Sequence, residues 1–188
     1  MSPADTCNTF RDDFLKFSVQ KPSRWQFIPA AWSPVALLQR SDDPALEWAK
    51  HANRPFCCAM LHHDSASHAY ATMQVTVRPV QVPGNQVAAD LLEQNLVFLA
   101  RHQVDFELLN ATSEAIIAGC RANTIRSRYV LITQKEGEEQ VEFPVLLWSY
   151  TIFAPGRAFT IGLSSSADEE YFDEADFADI IESVRIGN

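Results

Sequence analysis

Residues Val141–Ile186, VEFPVLLWSYTIFAPGRAFTIGLSSSADEEYFDEADFADIIESVRI, decide the fold. Leu146, Trp148, Tyr150 and Ile152 fall on one side of an extended chain, and Val145, Leu147, Ser149, Thr151 and Phe153 on the other. A period of two in aromatic and β-branched residues predicts a strand. Pro144 sits near its start, where a missing N–H is tolerated. Ala154-Pro155-Gly156-Arg157 predicts a type II turn, because proline presets φ and glycine accepts a positive φ at the next position. The chain returns with Phe159, Ile161 and Leu163 alternating against Thr160, Gly162 and Ser164, which completes a hairpin. After a polar, acidic loop, Phe177, Ile180, Ile181 and Val184 recur at helical spacing, a stripe that must lie on apolar surface. Asp173 suits the N-cap, with Asp176 three residues on in the capping-box position usually held by Glu or Gln. A short exit strand follows.

Working outward, 188 residues with 47% hydrophobic side chains predict one globular domain with a sizeable core, spanning 1–188. The balance of 15 basic against 24 acidic side chains leaves a net charge of −9. That argues against a nucleic-acid or anionic-membrane surface as the main partner. No apolar run is long enough to span a bilayer. Met1–Phe10 has neither a charged n-region nor an apolar h-region, which predicts a cytoplasmic protein if Met1 is the natural start. The four cysteines, Cys7, Cys57, Cys58 and Cys120, show no C-x-x-C spacing and read as free thiols, mostly buried.

In chain order, Phe17 and Val19 alternate with Ser18 and Gln20 in a first strand within Phe10–Val19. A turn at Lys21-Pro22-Ser23 and the sequence Trp25, Phe27, Ile28 follow, with Trp25 expected to pack inward. An irregular region over 29–67 carries Pro29, Pro34, Pro44 and Pro55, which break any long element. Within it, Asp43-Pro44 fits an N-cap and N1 proline opening a short helix to about His51. Ala71–Val80 predicts a strand. Gln86–His102 predicts a helix with the stripe Ala88, Leu91, Leu92, Leu96 and Leu99. Phe106–Leu109 begins another strand. A bend at Gly119 leads into a strand over Thr124–Thr133, and the charged turn Lys135–Glu138 leads into the opening hairpin. Strand-rich meanders with separate helices predict an α+β fold, helices covering an antiparallel sheet.

Three stretches resemble the PsbP-like family, which includes the extrinsic P protein of photosystem II and a Ran-binding nuclear import factor. They are Phe17-Ser18-Val19-Gln20-Lys21-Pro22-Ser23-Arg24-Trp25, then Ile117-Ala118-Gly119-Cys120-Arg121-Ala122 before a long strand, and the close from Phe177–Ile181 into Ser183-Val184-Arg185-Ile186. The resemblance implies an α/β/α sandwich around a twisted antiparallel sheet. It also implies a role in binding or assembly, as in small bacterial adaptor or chaperone-like members, and no resident cofactor.

Several groups of residues bear on chemistry. Cys57, Cys58, His62, His63, Asp64 and His68 supply soft and imidazole ligands within a dozen residues, the composition of a zinc site. Adjacent cysteines, however, do not readily point at one ion, and no second ligand pair completes a site. Cys57, Cys58 or Cys120 with His62, His63 or His102 would be the parts of a thiol enzyme, whereas Cys120 beside Gly119 reads as core. Asp168, Glu169, Glu170, Asp173, Glu174, Asp176 and Asp179 read either as a cation site or acidic docking face, or as a solvated helix start. The absence of a calcium-loop glycine favours the solvated start. Arg24, Arg121, Arg126 and Arg128 are basic points in an acidic chain. Arg126 and Arg128 share one strand face, there to meet an acidic partner or the chain's own carboxylates. Trp32 and Trp48, if exposed, make a contact patch; otherwise they pack the irregular region onto the sheet. The expectation is a non-enzymatic protein-binding domain contacting its partner through Trp32, Trp48, Arg126 and Arg128. A homo-oligomer, or a metal-dependent or thiol enzyme centred on Cys57–His68, is the alternative.

Overall fold

The computed structural model describes residues 8–28, 55–61, 71–80, 85–133, 140–168 and 174–187. Among these lie β1 (Thr9–Asp12), β2 (Phe17–Gln20), β3 (Gln26–Phe27), β4 (Cys57–Met60), β5 (Thr72–Pro79), α1 (Asn85–His102), β6 (Val104–Ile117), β7 (Cys120–Thr133), β8 (Val141–Ala154), β9 (Arg157–Ser166), α2 (Glu174–Ser183) and β10 (Arg185–Ile186). The predicted helix after Asp43-Pro44, the charged turn at 135–138, Asp173 and the residues Trp32, Trp48, His62, His63, Asp64 and His68 lie outside the described residues. Among the described residues, no helix is long and apolar enough to cross a membrane.

The β8–β9 hairpin forms as its alternation requires. Ala154 pairs with Arg157, and Gly156 holds φ at +74°, the conformation a type II turn asks of its third residue. From that turn the register runs Ile152↔Phe159, Tyr150↔Ile161 and Trp148↔Leu163, so six large side chains share one face. The hairpin lies inside a seven-stranded antiparallel sheet ordered β3-β4-β5-β9-β8-β7-β6. Met73 and Val75 of β5, with Cys57 and Ala59 of β4, extend the same apolar face. The stripe on α2 lands there: Phe177, Ile180 and Val184 are buried and Ile181 is half-buried against them.

The opposite face carries α1. Ala88 is buried against Phe153 and Ala158, with Val80 and Leu91 alongside. Asn123 Nδ2 donates to the Ala88 carbonyl oxygen at 2.8 Å, in a buried setting that ties the helix to β7. Leu92, Leu96 and Leu99 are half-buried, and Glu93, Gln94 and Arg101 face solvent, as the spacing predicts. The chain is therefore α+β, with helices on both faces of an antiparallel sheet.

Several elements differ from expectation: β4 is a strand within the stretch 29–67 that reads as irregular, its residues paired to β5, and β7 begins at Cys120 rather than Thr124. The opening strand is two strands, β1 and β2, joined by a turn in which Lys16 takes a φ of 51°. They do not extend the large sheet. They form a separate three-stranded sheet, β1-β2-β10, closed by the chain's exit: Arg185 pairs with Ser18 and Ile186 with Phe17. Ser183 adds to this closure, its Oγ accepting from Gln20 N–H at 2.8 Å and lying 2.6 Å from the Ile180 carbonyl oxygen. Phe17 and Val19 point into the core, and Phe17 stacks on Phe159 at 4.9 Å. A further difference is β6, of which the sequence indicated only a beginning at Phe106–Leu109 and which runs through Val104–Ile117. Register shifts between Val104 and Glu107, Leu108 and Asn110, and Thr112 and Ala115 reset which side faces the core. Each extra residue breaks the period of two that sequence reading depends on. Ala118 and Gly119, at φ 52° and 76°, then make the two-residue hairpin into β7.

Candidate functional site

Strand alternation places Ala122, Thr124, Arg126, Arg128 and Val130 of β7 on the face that carries α2. Phe177 reaches Trp148 edge-on at 5.4 Å between ring centroids. Beyond that contact, Arg126 and Arg128 are exposed. The two arginines expected to share a face therefore do so, beside an aromatic residue.

Arg126 is held in place. It stands opposite Trp148 in the β7–β8 register, and its guanidinium carbon lies 3.8 Å from the indole centroid. Such a cation over an aromatic face contributes about 0.5–1 kcal/mol at an exposed site. Glu174, the first residue of α2, brings Oε1 to 3.5 Å from Arg126 Nη1. Those two side chains are 46% and 64% exposed, so the ion pair itself adds little. Tyr150, two residues beyond Trp148 on the same face, is buried. Burial pushes its phenol above the ordinary range; the charge of Arg126 and a hydrogen bond with it pull the other way, and Glu174 adds to the rise. The phenol stays neutral at physiological pH.

The acidic start of α2 is engaged within the fold. Asp176 Oδ2 accepts from Trp25 Nε1 at 2.8 Å and from Arg24 Nη2 and Nε at 2.7 and 3.1 Å. Trp25 packs inward as expected, only 1% exposed, and meets Phe177 at 6.2 Å. Asp176 thus holds Arg24 and Trp25 from a distant stretch, so a merely solvated helix start does not describe that position, whereas Glu174 is largely exposed and only loosely paired with Arg126. Nothing in the local pattern pairs Asp176 with residues more than 150 positions away.

The cysteines occupy a different region. Alternation along β4 sends Cys57 into the core with Val75 and Ala59, and Cys58 to the opposite face of the sheet. Burial, reinforced by the neighbouring Cys58, pushes the Cys57 thiol far above the ordinary range. It carries no thiolate at neutral pH, the form that nucleophilic attack or metal binding requires. Cys120 is a half-buried free thiol packed against the core. Among the described residues, no three His, Cys, Asp or Glu side chains gather in a metal-binding group.

No family model and no curated protein sequence matches the chain. Solved structures of similar fold include LpqN, involved in cell envelope biogenesis of Mycobacterium tuberculosis. It is 16% identical, with 92% of this chain and 83% of that chain covered, at a TM-score of 0.52. The solution structure of cyanobacterial PsbP (CyanoP) from Synechocystis sp. PCC 6803 is 13% identical, with 95% and 91% covered and a TM-score of 0.45. A crystal structure from Bacteroides thetaiotaomicron VPI-5482 is 10% identical and covers 96% of this chain at a TM-score of 0.45; this chain spans 48% of that one. At such identity the likeness to LpqN shows the fold alone.

Proposed function

We propose that this chain is a non-enzymatic, protein-binding accessory or adaptor domain of the PsbP-like kind. Its contact surface is the part of the sheet around Arg126 and Arg128. The observation that carries the reading is the presentation of Arg126: its guanidinium is oriented over buried Trp148 and offered at the surface beside a second arginine. A flat, oriented guanidinium on an aromatic support suits recognition of a carboxylate on another protein. The fold shared with LpqN is compatible with an accessory role, and the three resembling stretches support membership of the PsbP-like family. The buried, protonated state of Cys57 weighs against the thiol enzyme.

The test uses the wild-type chain and the double variant R126E/R128E as cross-linking baits in the source organism, after matched thermal melts establish equal folding. The expected result is a protein recovered with the wild type and lost with the variant. Identical partners on both baits would remove the proposed surface.

A further inference from the structure

We infer that Glu174 is an internal stand-in for a partner's carboxylate, and that the group recognised by Arg126 and Arg128 is an extended acidic peptide segment with carboxylates at alternate positions. This rests on the protein-binding reading above and names the chemistry of the partner.

A guanidinium offers five donors in a rigid fork. With its face taken up by Trp148, Arg126 directs those donors sideways from the ring. Glu174 meets them with one oxygen at 3.5 Å, well beyond the roughly 2.7–2.9 Å of a charge-assisted hydrogen bond. Both side chains are about half exposed, so the contact is weak and open to exchange with an outside carboxylate. The Arg128 side chain makes no hydrogen bond or ion pair among the described residues, although Glu107 stands across from it in β6. In a chain with 24 acidic and 15 basic side chains, internal partners are plentiful. Arg126 is thus positioned by Trp148 and Tyr150 with only a weak ion pair to Glu174, and the Arg128 side chain is unpaired among the described residues, a departure from what the composition would produce. Alternate residues of a strand lie about 6.4–6.8 Å apart on one face. An extended segment with acids at alternate positions repeats that distance and sets one carboxylate at each guanidinium.

The test follows the Trp148 and arginine side-chain N–H resonances by NMR. The folded chain is titrated with acetyl-Glu-Ala-Glu-Ala-Glu-amide and with a peptide of equal charge whose glutamates are contiguous. Four proteins are compared: wild type, E174Q, R128A, and D179N, which changes net charge by the same amount from an exposed position on α2. The expected result is that E174Q binds the alternating peptide about two- to fivefold more tightly than D179N, the range set by losing one half-exposed ion pair. R128A loses most of the binding, and the contiguous peptide binds less well. Equal affinity of E174Q and D179N, unchanged binding by R128A, absence of binding in all four, or equal binding of a thymidine decamer would each overturn the inference. If E174Q gains nothing while R126E/R128E still loses its cellular partner, the stand-in role fails and the protein-binding reading survives. If charge reversal at the arginines loses no partner, both fail.

Discussion

Replacing Asp176 by alanine removes a single carboxylate that joins the terminal helix to the Arg24-Trp25 stretch near the start of the chain. Its Oδ2 accepts the indole N–H of Trp25 and two donors of Arg24. The two partners respond differently to truncation. Arg24 is 49% exposed and returns to water, so its share of the loss is at most about 1 kcal/mol. Trp25 is 1% exposed, and its N–H would remain buried without an acceptor, which costs about 1–3 kcal/mol. The expected destabilisation of D176A is therefore about 1–4 kcal/mol, a sizeable fraction of the roughly 5–15 kcal/mol typical of a domain. D176N keeps one acceptor oxygen for the indole but loses the charge facing Arg24, and falls between wild type and D176A. Urea unfolding at pH 7, followed by tryptophan fluorescence and circular dichroism, measures the three stabilities. The same series in 1 M salt separates the partners, because salt screens the exposed Arg24 contact and leaves the buried indole bond largely unaffected. A W25F/D176A double-mutant cycle should give a coupling of about 1 kcal/mol or more. A loss below about 0.5 kcal/mol for D176A, or a difference that disappears in high salt, would refute the assignment of the buried indole bond as the larger contribution.

Two further outcomes follow from buried groups. N123D replaces the amide donor facing the Ala88 carbonyl by a carboxylate in a site 2% exposed. It should cost about 2–4 kcal/mol at pH 7, and less than that at acid pH, where the protonated acid can again donate; equal stability of N123D and wild type at pH 7 would contradict the Asn123–Ala88 tie. The Cys57 thiol is raised by burial, so its contribution is fully present below the unfolded thiol's pKa of about 8.5 and is lost progressively above it, as the unfolded chain releases a proton the folded chain keeps. Urea midpoints should fall from about pH 8.5 upward, and C57A should flatten that first decline; an identical pH profile for the two proteins would show that Cys57 is not the group responsible.

Much of the local structure was legible along the chain. The alternation about Trp148 and Phe159, the turn at Pro155-Gly156, the two helical stripes and the inward Trp25 all express preferences settled over a few residues. Rotation per residue and the φ limits of proline and glycine act at that range. The strand β6 was only partly legible because its bulges interrupt the period. In the site, the shared face of Arg126 and Arg128 followed from their spacing of two. The indole beneath Arg126 required the β7–β8 register, which the charged sequence between the two strands does not specify.

By itself, then, the sequence determined an acidic α+β chain, its central hairpin, and which side of α1, α2, β8 and β9 turns away from water. Tertiary structure alone decided that β2 pairs with the chain's exit, that β5 lies beside β9, and that Asp176 and Glu174 hold Arg24 and Arg126. Periodicity reports that a surface must be covered, but apolar burial is non-directional and does not say which surface covers it. That choice is made when distant segments compete for the same face. Hydrogen bonds such as those of Asp176 then favour the one arrangement that leaves a buried indole N–H with an acceptor.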